Sequence, residues 1–388
     1  MRIGVVGLIT IGGASSGTAG GVEKLIEEVT VRQAAHGHVV TVYCRARYNT
    51  SGLRDFHGVR LVNLPAIYTK HLEAITHSFL SMLVATFSND VIQFHSMGPA
   101  LLSFIPRLFG RKTVCTLHGL DYRRDKWGRV AKLVLKIGEQ CALRFPNATT
   151  VVSRFMERHY REESGRKVTY IPNGVPEIES RPFDKLARFG IERDKYILYL
   201  SRIVPEKGSH YLVEAFRRVK TDMKLLIAGD SRHAAEYLDR VRGLAGNDER
   251  IIFAGPLYGE DKAEAYSNAY LFCLPSDLEG LPIVLLEAMG AGRCCLVSDI
   301  PEMVEVVDPH RLGYAPSSEG APDGPYGCTF KQGNIDDLAV SLQRLVDAQQ
   351  DVRAMEPKAR AYVAAEYSWD HIAASYEHVY ETVLKAKP

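Results

Sequence analysis

The sequence predicts an α/β protein of two Rossmann-like, doubly wound parallel-sheet domains facing a central cleft, and three observations predict it. Short β-branched apolar runs alternate with longer amphipathic stretches almost from end to end. That alternation pauses once, in a proline-rich segment near residue 175. The length, 388 residues, is too great for one ordinary core and comfortable for two.

In the first half, IGVVGL (3–8), VVTVYC (39–44), VRLVNL (59–64), DVIQFH (90–95), TVCTLH (113–118) and ATTVVS (148–153) read as strands. They are mostly apolar on both faces, as strands covered by helices on either side should be. Between the first two, Val22, Leu25, Ile26, Val29 and Gln33 recur at helical spacing over 21–36. The segment YIPNGVPEIESRP (170–182) carries three prolines and a glycine and reads as a linker. After it come strands at 196–201, 224–229, 251–255, 270–275 and 294–298, with helical patterns at 207–220, 234–244, 259–268 and 281–292. APSSEGAPDGPYG (315–327) reads as a loop. In the last helix, over 369–385, Trp369, Ile372, Tyr376, Val379 and Val383 form an apolar stripe that needs a partner.

Composition narrows the class. Hydrophobic residues make up 46% and charged residues 24%, which excludes wholesale disorder. No apolar run approaches the roughly 18–20 residues of a membrane-spanning helix. The start goes from Met1-Arg2 straight into a strand and offers no signal-peptide core. Seven cysteines, with no CxxC pair, favour neither a disulfide framework nor a zinc site. The expectation is a reduced, cytoplasmic protein. Its net charge of +2 conceals an asymmetry: residues 1–176 hold 23 Lys+Arg against 12 Asp+Glu, and the remainder 25 against 34. A basic first half favours anionic surfaces.

Three loops after strands carry the candidate chemistry. GLITIGGASSGTAGGVEK (7–24) is glycine-rich and enters a helix at about Gly21, so backbone amides can approach an anion. It lacks the GxGxxG of a dinucleotide fingerprint, and Cys44-Arg45 stands where an acidic ribose-binding residue would sit. In SRIVPEKGSHYLVEAF (201–216), Arg202 and Lys207 can fold onto one diphosphate, although such a pair alone would more often be solvated surface. In SDLEGLPIVLLEAMGAG (276–292), Glu279 and Glu287 flank a helix N-terminus whose amides at Gly280, Leu281 and Ile283 suit a diphosphate; Pro282 has no N–H.

SRxxxEKG followed by ExxxxxxxE within EGLPIVLLEAMGAG resembles the donor half of glycosyltransferase family 4, a retaining family with the GT-B fold. The likeness extends through AGGVEKLIEEVTVRQAAHGHVVTVYCR, TLHGLDYRRDKWG, VSRFMERHY, YIPNGV and YSWDHIAASYEHVYE, nearly the whole chain. The first segments look most like bacterial rhamnosyltransferase-type members that build cell-surface polysaccharides. Ser201 and Pro176 depart from the commoner residues at their positions. The resemblance implies a donor that is a UDP-, dTDP- or GDP-linked sugar, no cofactor and no metal. It implies that Arg202 and Lys207 neutralise the leaving diphosphate, that Glu279 holds sugar hydroxyls, and that Gly280, Leu281, Pro282 and Ile283 lie beside the phosphates. Glu287 would hold the ribose, Leu257 and Tyr258 the base, Gly20 and Gly21 the diphosphate. His118 would face the transferred sugar, with Asp121 and Arg123 on the acceptor side. It also implies an acceptor-binding domain over 1–176, a donor-binding domain over 177–368, and a last helix, about 369–388, that returns to the first domain.

Between Arg107 and Arg144 stand ten Lys+Arg against three acids. Lys126, Arg129, Lys132 and Lys136 would line one helix face, and Trp127, Val130, Val134 and Ile137 another. This suggests peripheral contact with the anionic inner face of a membrane and a glycan or lipid-linked glycan as acceptor. Three rivals remain: an NAD(P)-dependent oxidoreductase, disfavoured by the missing fingerprint; a GT-B relative such as a sugar-nucleotide epimerase; and a nucleic-acid binder, disfavoured because the basic residues lack interleaved aromatics.

Overall fold

A computed structural model describes residues 1–12, 20–49, 52–69, 72–124, 127–231, 234–313 and 324–386. The middle of the glycine-rich loop (13–19), Asp125 and Lys126, most of the 315–327 loop and the last two residues lie outside that description.

The chain forms two compact units, one of residues 1–174 with 369–388 and the other of residues 175–368. The first begins β1 (Arg2–Val6), α1 (Gly21–Ala35), β2 (Val39–Arg45), β3 (Asp55–Phe56), β4 (Val59–Leu64), α2 (Glu73–Ser88) and β5 (Val91–His95). It continues α3 (Met97–Ala100), α4 (Ile105–Leu108), β6 (Lys112–Leu117), α5 (Arg129–Arg144), β7 (Ala148–Val151), α6 (Arg154–Ser164) and β8 (Thr169–Tyr170). Its sheet runs β3-β4-β2-β1-β5-β6-β7-β8, parallel throughout except where the two-residue β3 pairs antiparallel with β4. The strands are buried on both faces, with Ile3, Val6, Val42, Ile92, Phe94 and Val114 fully enclosed.

The second unit contains β9 (Tyr196–Leu200), α7 (Ser209–Phe216), β10 (Lys224–Ala228), α8 (Ala235–Ala245), β11 (Ile251–Gly255), α9 (Gly259–Asn268) and β12 (Leu271–Leu274). It goes on through α10 (Ile283–Gly290), β13 (Cys294–Ser298), α11 (Pro301–Val307), β14 (Cys328–Phe330), α12 (Ile335–Asp347) and α13 (Gln349–Glu366). Its sheet is wholly parallel, β11-β10-β9-β12-β13-β14, the doubly wound order that reverses between its first and fourth strands. The final helix, α14 (Trp369–Lys385), is part of the first unit and packs against α1, burying Trp369, Ile372, Tyr376, Val379, Tyr380 and Val383.

Several elements depart from the sequence-based boundaries for identifiable reasons. The predicted helix over 207–220 is a 3₁₀ turn, Pro205–Lys207, followed by α7. Gly208 between them has φ +67°, which ends one helical segment and admits the next. The predicted helix from 281 starts at Ile283, because Leu281 precedes a proline and is pushed toward extended backbone. The strand read as 113–118 stops at Leu117, leaving His118 as the first loop residue. β3, β8 and β14 are too short to show a period and escaped the sequence reading.

Candidate active site

In each sheet the strand order reverses at one point, and there the loops after two adjacent parallel strands diverge and leave a crevice. In the second unit the reversal lies between β9 and β12. The loop after β9 carries Arg202 and Lys207; the loop after β12 carries Glu279. The candidate cluster therefore follows from topology as well as from motif.

Lys207 and Glu279 form an ion pair, with side chains only 12% and 6% exposed. The two loops are stitched below it. Tyr199, fully buried on β9, donates its hydroxyl to the carbonyls of Arg202 (3.2 Å) and Lys207 (3.4 Å), and the Asp277 amide donates to the Glu206 carbonyl (2.9 Å). A Cβ on Gly208 would stand 1.9 Å from the Pro275 carbonyl oxygen, so only glycine lets the loops approach this closely. Arg202 is exposed and makes no ion pair among the described residues.

Pro282 is the N-cap of α10, and its carbonyl accepts from the amides of Leu285 (3.1 Å) and Leu286 (3.4 Å). The amide of Ile283 precedes the first bond of the helix and belongs to its donor-rich end. About one turn on, Glu287 is buried and accepts from Lys262 Nζ (2.7 Å) and the Tyr266 hydroxyl (3.1 Å). Lys262 and Tyr266 lie four residues apart on one face of α9, immediately after Leu257, which is buried, and Tyr258, which is exposed at the N-cap. A carboxylate with two acceptor oxygens retains lone pairs after these bonds and can still receive two hydroxyls.

In the first unit the reversal lies between β1 and β5. Both described ends of the glycine-rich loop are fastened to α1. The Glu23 carboxylate accepts from the amides of Ile9 (3.4 Å) and Gly20 (3.1 Å), and Glu27 accepts from Gly12 (3.0 Å). Burial raises the Glu23 carboxyl above its usual range. Gly20 is the N-cap and Gly21 the first residue of α1. His118, just past β6, places Nε2 2.9 Å from Nδ1 of His95 at the end of β5. Burial depresses the His118 imidazole to about 3, so it is neutral and offers hydrogen bonds rather than charge. Asp121 and Arg123 lie on a 3₁₀ turn beyond it, with Asp121 paired to Arg124 at 3.3 Å and Arg123 exposed.

Sequence reasoning missed Tyr199, Lys262, Tyr266, Glu23 and His95. Of these, only His95 carried a local signal, a second polar residue ending an apolar strand. Among the described residues no group of His, Cys, Asp or Glu is arranged to hold a metal ion, and no helix is long and apolar enough to cross a membrane.

Residues 184–362 match the family model described as glycosyl transferases group 1, and residues 19–177 match that of glycosyltransferase family 4. A GDP-mannose-dependent alpha-(1-6)-phosphatidylinositol monomannoside mannosyltransferase of Mycobacterium tuberculosis is 26% identical over 389 residues, covering 92% of this chain and 93% of that protein. An uncharacterised glycosyltransferase of Methanocaldococcus jannaschii is 28% identical over 199 residues; there the chain spans about half the length of its relative, 47%, with 50% of its own. Sucrose-phosphate synthase from Thermosynechococcus elongatus has a similar fold, with a TM-score of 0.84 at 20% identity over the full length of both chains.

Proposed function

The chain is a glycosyltransferase with the GT-B fold, and from that premise we propose that it moves a hexose or deoxyhexose from a UDP-, dTDP- or GDP-linked sugar to a glycan or lipid-linked glycan, with retention at the anomeric carbon. The observation that carries the reading is the largely buried Lys207–Glu279 pair at the sheet's reversal, just ahead of the α10 N-terminus. Cleaving the sugar–phosphate bond leaves an oxocarbenium-like sugar and a diphosphate gaining negative charge. Arg202, Lys207 and the helix amides stand ready to stabilise that charge, Glu279 to hold sugar hydroxyls and Glu287 the ribose. Neutral His118 hydrogen-bonds the sugar. The acceptor hydroxyl attacks on the face the diphosphate leaves, and a diphosphate oxygen takes its proton. Two side-chain cations fill the electrostatic role, so the reading calls for no metal and no cofactor.

A GDP-mannose donor and a phosphatidylinositol mannoside acceptor, as the Mycobacterium tuberculosis relative's name states for that protein, support a nucleotide-sugar donor and a lipid-linked acceptor here. The rhamnosyltransferase-type likeness of the first segments supports a deoxyhexose and a role in cell-surface polysaccharide. A panel of UDP, GDP, dTDP and ADP sugars tests the donor: at a hundred times the dissociation constant, the right one adds about 2.7 kcal/mol and raises the melting temperature. No shift with any of them would refute the reading.

The surface of the first unit supports peripheral membrane contact on the cytoplasmic side. On α5 the basic Arg129, Lys132, Lys136 and Arg144 accompany exposed Val130 (77%), Leu133, Val134 and Ile137. Exposed aromatics continue the patch, Phe104 beside Phe145 and Phe87 beside Phe109, their ring centroids 5.4 and 5.5 Å apart. A cationic helix with an uncovered apolar face suits an anionic lipid surface, each nearby cation adding about 1 kcal/mol. Co-sedimentation with anionic but not neutral vesicles, lost at high salt, is the expected result; equal binding to both, or none at low salt, would refute it.

A further inference from the structure

At the ends of β5 and β6 two imidazoles meet in a way the transfer reading leaves unused. His95 is buried, 4% exposed, and its Nδ1 lies 2.9 Å from Nε2 of His118, with the rings inclined by 19°. The strand end that carries it is held in an uncommon conformation. Ser96 has φ +73° and ψ 164°, a region almost reserved for glycine, while its amide donates to the Thr116 carbonyl at 2.9 Å. Such a backbone persists only where surrounding structure dictates it, and here it fixes where β5 ends and where the His95 ring stands.

Behind His95 the core is polar. Gln93, two residues earlier on the same face of β5, donates to Thr116 Oγ1 (2.6 Å), which bonds Thr150 Oγ1 (2.8 Å). His95, Gln93, Gln33 and Tyr376 line one cavity of about 10 Å³, close to the room one water needs. The Tyr376 hydroxyl interacts with the Thr116 and Thr150 hydroxyls and the Tyr380 hydroxyl with Gln33, so the polar groups around this cavity form one buried network. A buried polar network of this kind rigidifies the side chains it joins, His95 among its neighbours.

We propose that His95 is a positioning residue of the transfer site: it fixes the ring and the tautomer of His118 through their shared hydrogen bond, so that His118 presents one defined nitrogen, Nδ1, to the sugar. The proposal rests on the reading that His118 faces the transferred sugar. Burial holds both imidazoles neutral, and two neutral rings can share only one proton across that contact, which makes each tautomer dictate the other.

The experiment is long-range proton–nitrogen NMR of the full chain with ¹⁵N-labelled histidine, alongside steady-state kinetics. In the unaltered protein His118 should occupy a single tautomer; a mixture there would overturn the proposal without any variant. His95→Leu should release His118 into both tautomers and lower kcat by about tenfold or more while the donor KM changes little. His95→Asn, whose amide reaches the place of Nδ1, should restore the single tautomer and most of kcat. Unchanged His118 tautomer populations in His95→Leu would overturn it, as would failure of Asn to rescue. His118→Ala separates the two ideas: unchanged kcat there would refute the role of His118 at the sugar, whereas the NMR comparison decides the His95–His118 coupling by itself.

Discussion

Lys207 is paired with Glu279 and, in the proposed function, also meets the leaving diphosphate, so its replacement should register in both stability and turnover. By motif it is a loop cation equivalent to Arg202, but its ammonium neutralises a Glu279 carboxylate that is only 6% exposed. Lys207→Ala should therefore cut turnover about a hundredfold and also cost about 3 kcal/mol of stability, because it strands a buried charge. Arg202→Ala should cost similar turnover and leave the melting temperature unchanged, since that side chain is exposed. Normal turnover in either variant removes that residue from the diphosphate site. Glu287→Gln should raise the donor KM severalfold with kcat nearly kept, as expected for a group that binds ribose rather than the reacting centre. The buried imidazoles give a pH dependence. His77 is lowered to about 4 and His118 to about 3, chiefly by burial, so the unfolded chain takes up their protons first. Stability should be full above pH 6.5 and fall as pH drops toward 4, by at most about 1.4 kcal/mol per unit for each histidine. Melting curves of the protein and of His77→Leu read this: the variant should show the shallower acid decline.

At the scale of elements, what the sequence revealed was period and punctuation. β2, β4 and α14 match their sequence-read spans to within a residue, because the two strands are β-branched apolar runs and the helix carries an unbroken apolar stripe. The ends of α7 and α10 shifted, since a glycine at positive φ and a residue before proline act through backbone sterics that an apolar stripe does not register. The partners of site residues were hidden for another reason. Lys262 and Tyr266 reach Glu287, and Tyr199 reaches the Lys207 loop, across tertiary distances that no spacing encodes. Helix α5 shows both aspects. Its cationic and apolar faces were readable, whereas only the structure shows Val130, Leu133, Val134 and Ile137 left uncovered. Its inner side is tight: a Cβ on Gly138 would lie 2.1 Å from the Met97 carbonyl oxygen of α3. Gly138→Ala should therefore force α5 away and cost about 1–3 kcal/mol. Leu133→Asp on the outer face should leave stability within about 0.5 kcal/mol yet abolish binding to anionic vesicles. A Leu133→Asp protein that still co-sediments would show that α5 is not the membrane face.

For the whole molecule, the path of the chain matters more than any one motif. The first unit is assembled from residues 1–174 and 369–388, the second from the continuous stretch 175–368. The two therefore differ in what a truncation should do to them. Ending the chain at Ser368 removes Trp369, Ile372, Tyr376, Val379, Tyr380 and Val383, all buried within the first unit. At about 1.5–3 kcal/mol for each large apolar side chain, that loss rivals or exceeds the whole 5–15 kcal/mol stability of an ordinary domain. The second unit keeps its own enclosed core, in which Tyr199, Leu212, Phe216, Leu225, Leu296, Leu342 and Val352 take part. Calorimetry of the chain ending at Ser368 should thus show the transition of the second unit and lose that of the first. A synthetic peptide of residues 369–386, added in excess, should restore the missing transition by refilling the face of α1 that α14 covers. If the truncated chain keeps a folded first unit, shown by its unaltered transition and protected amides in β1 and β5, then α14 is an appendage and not part of that core.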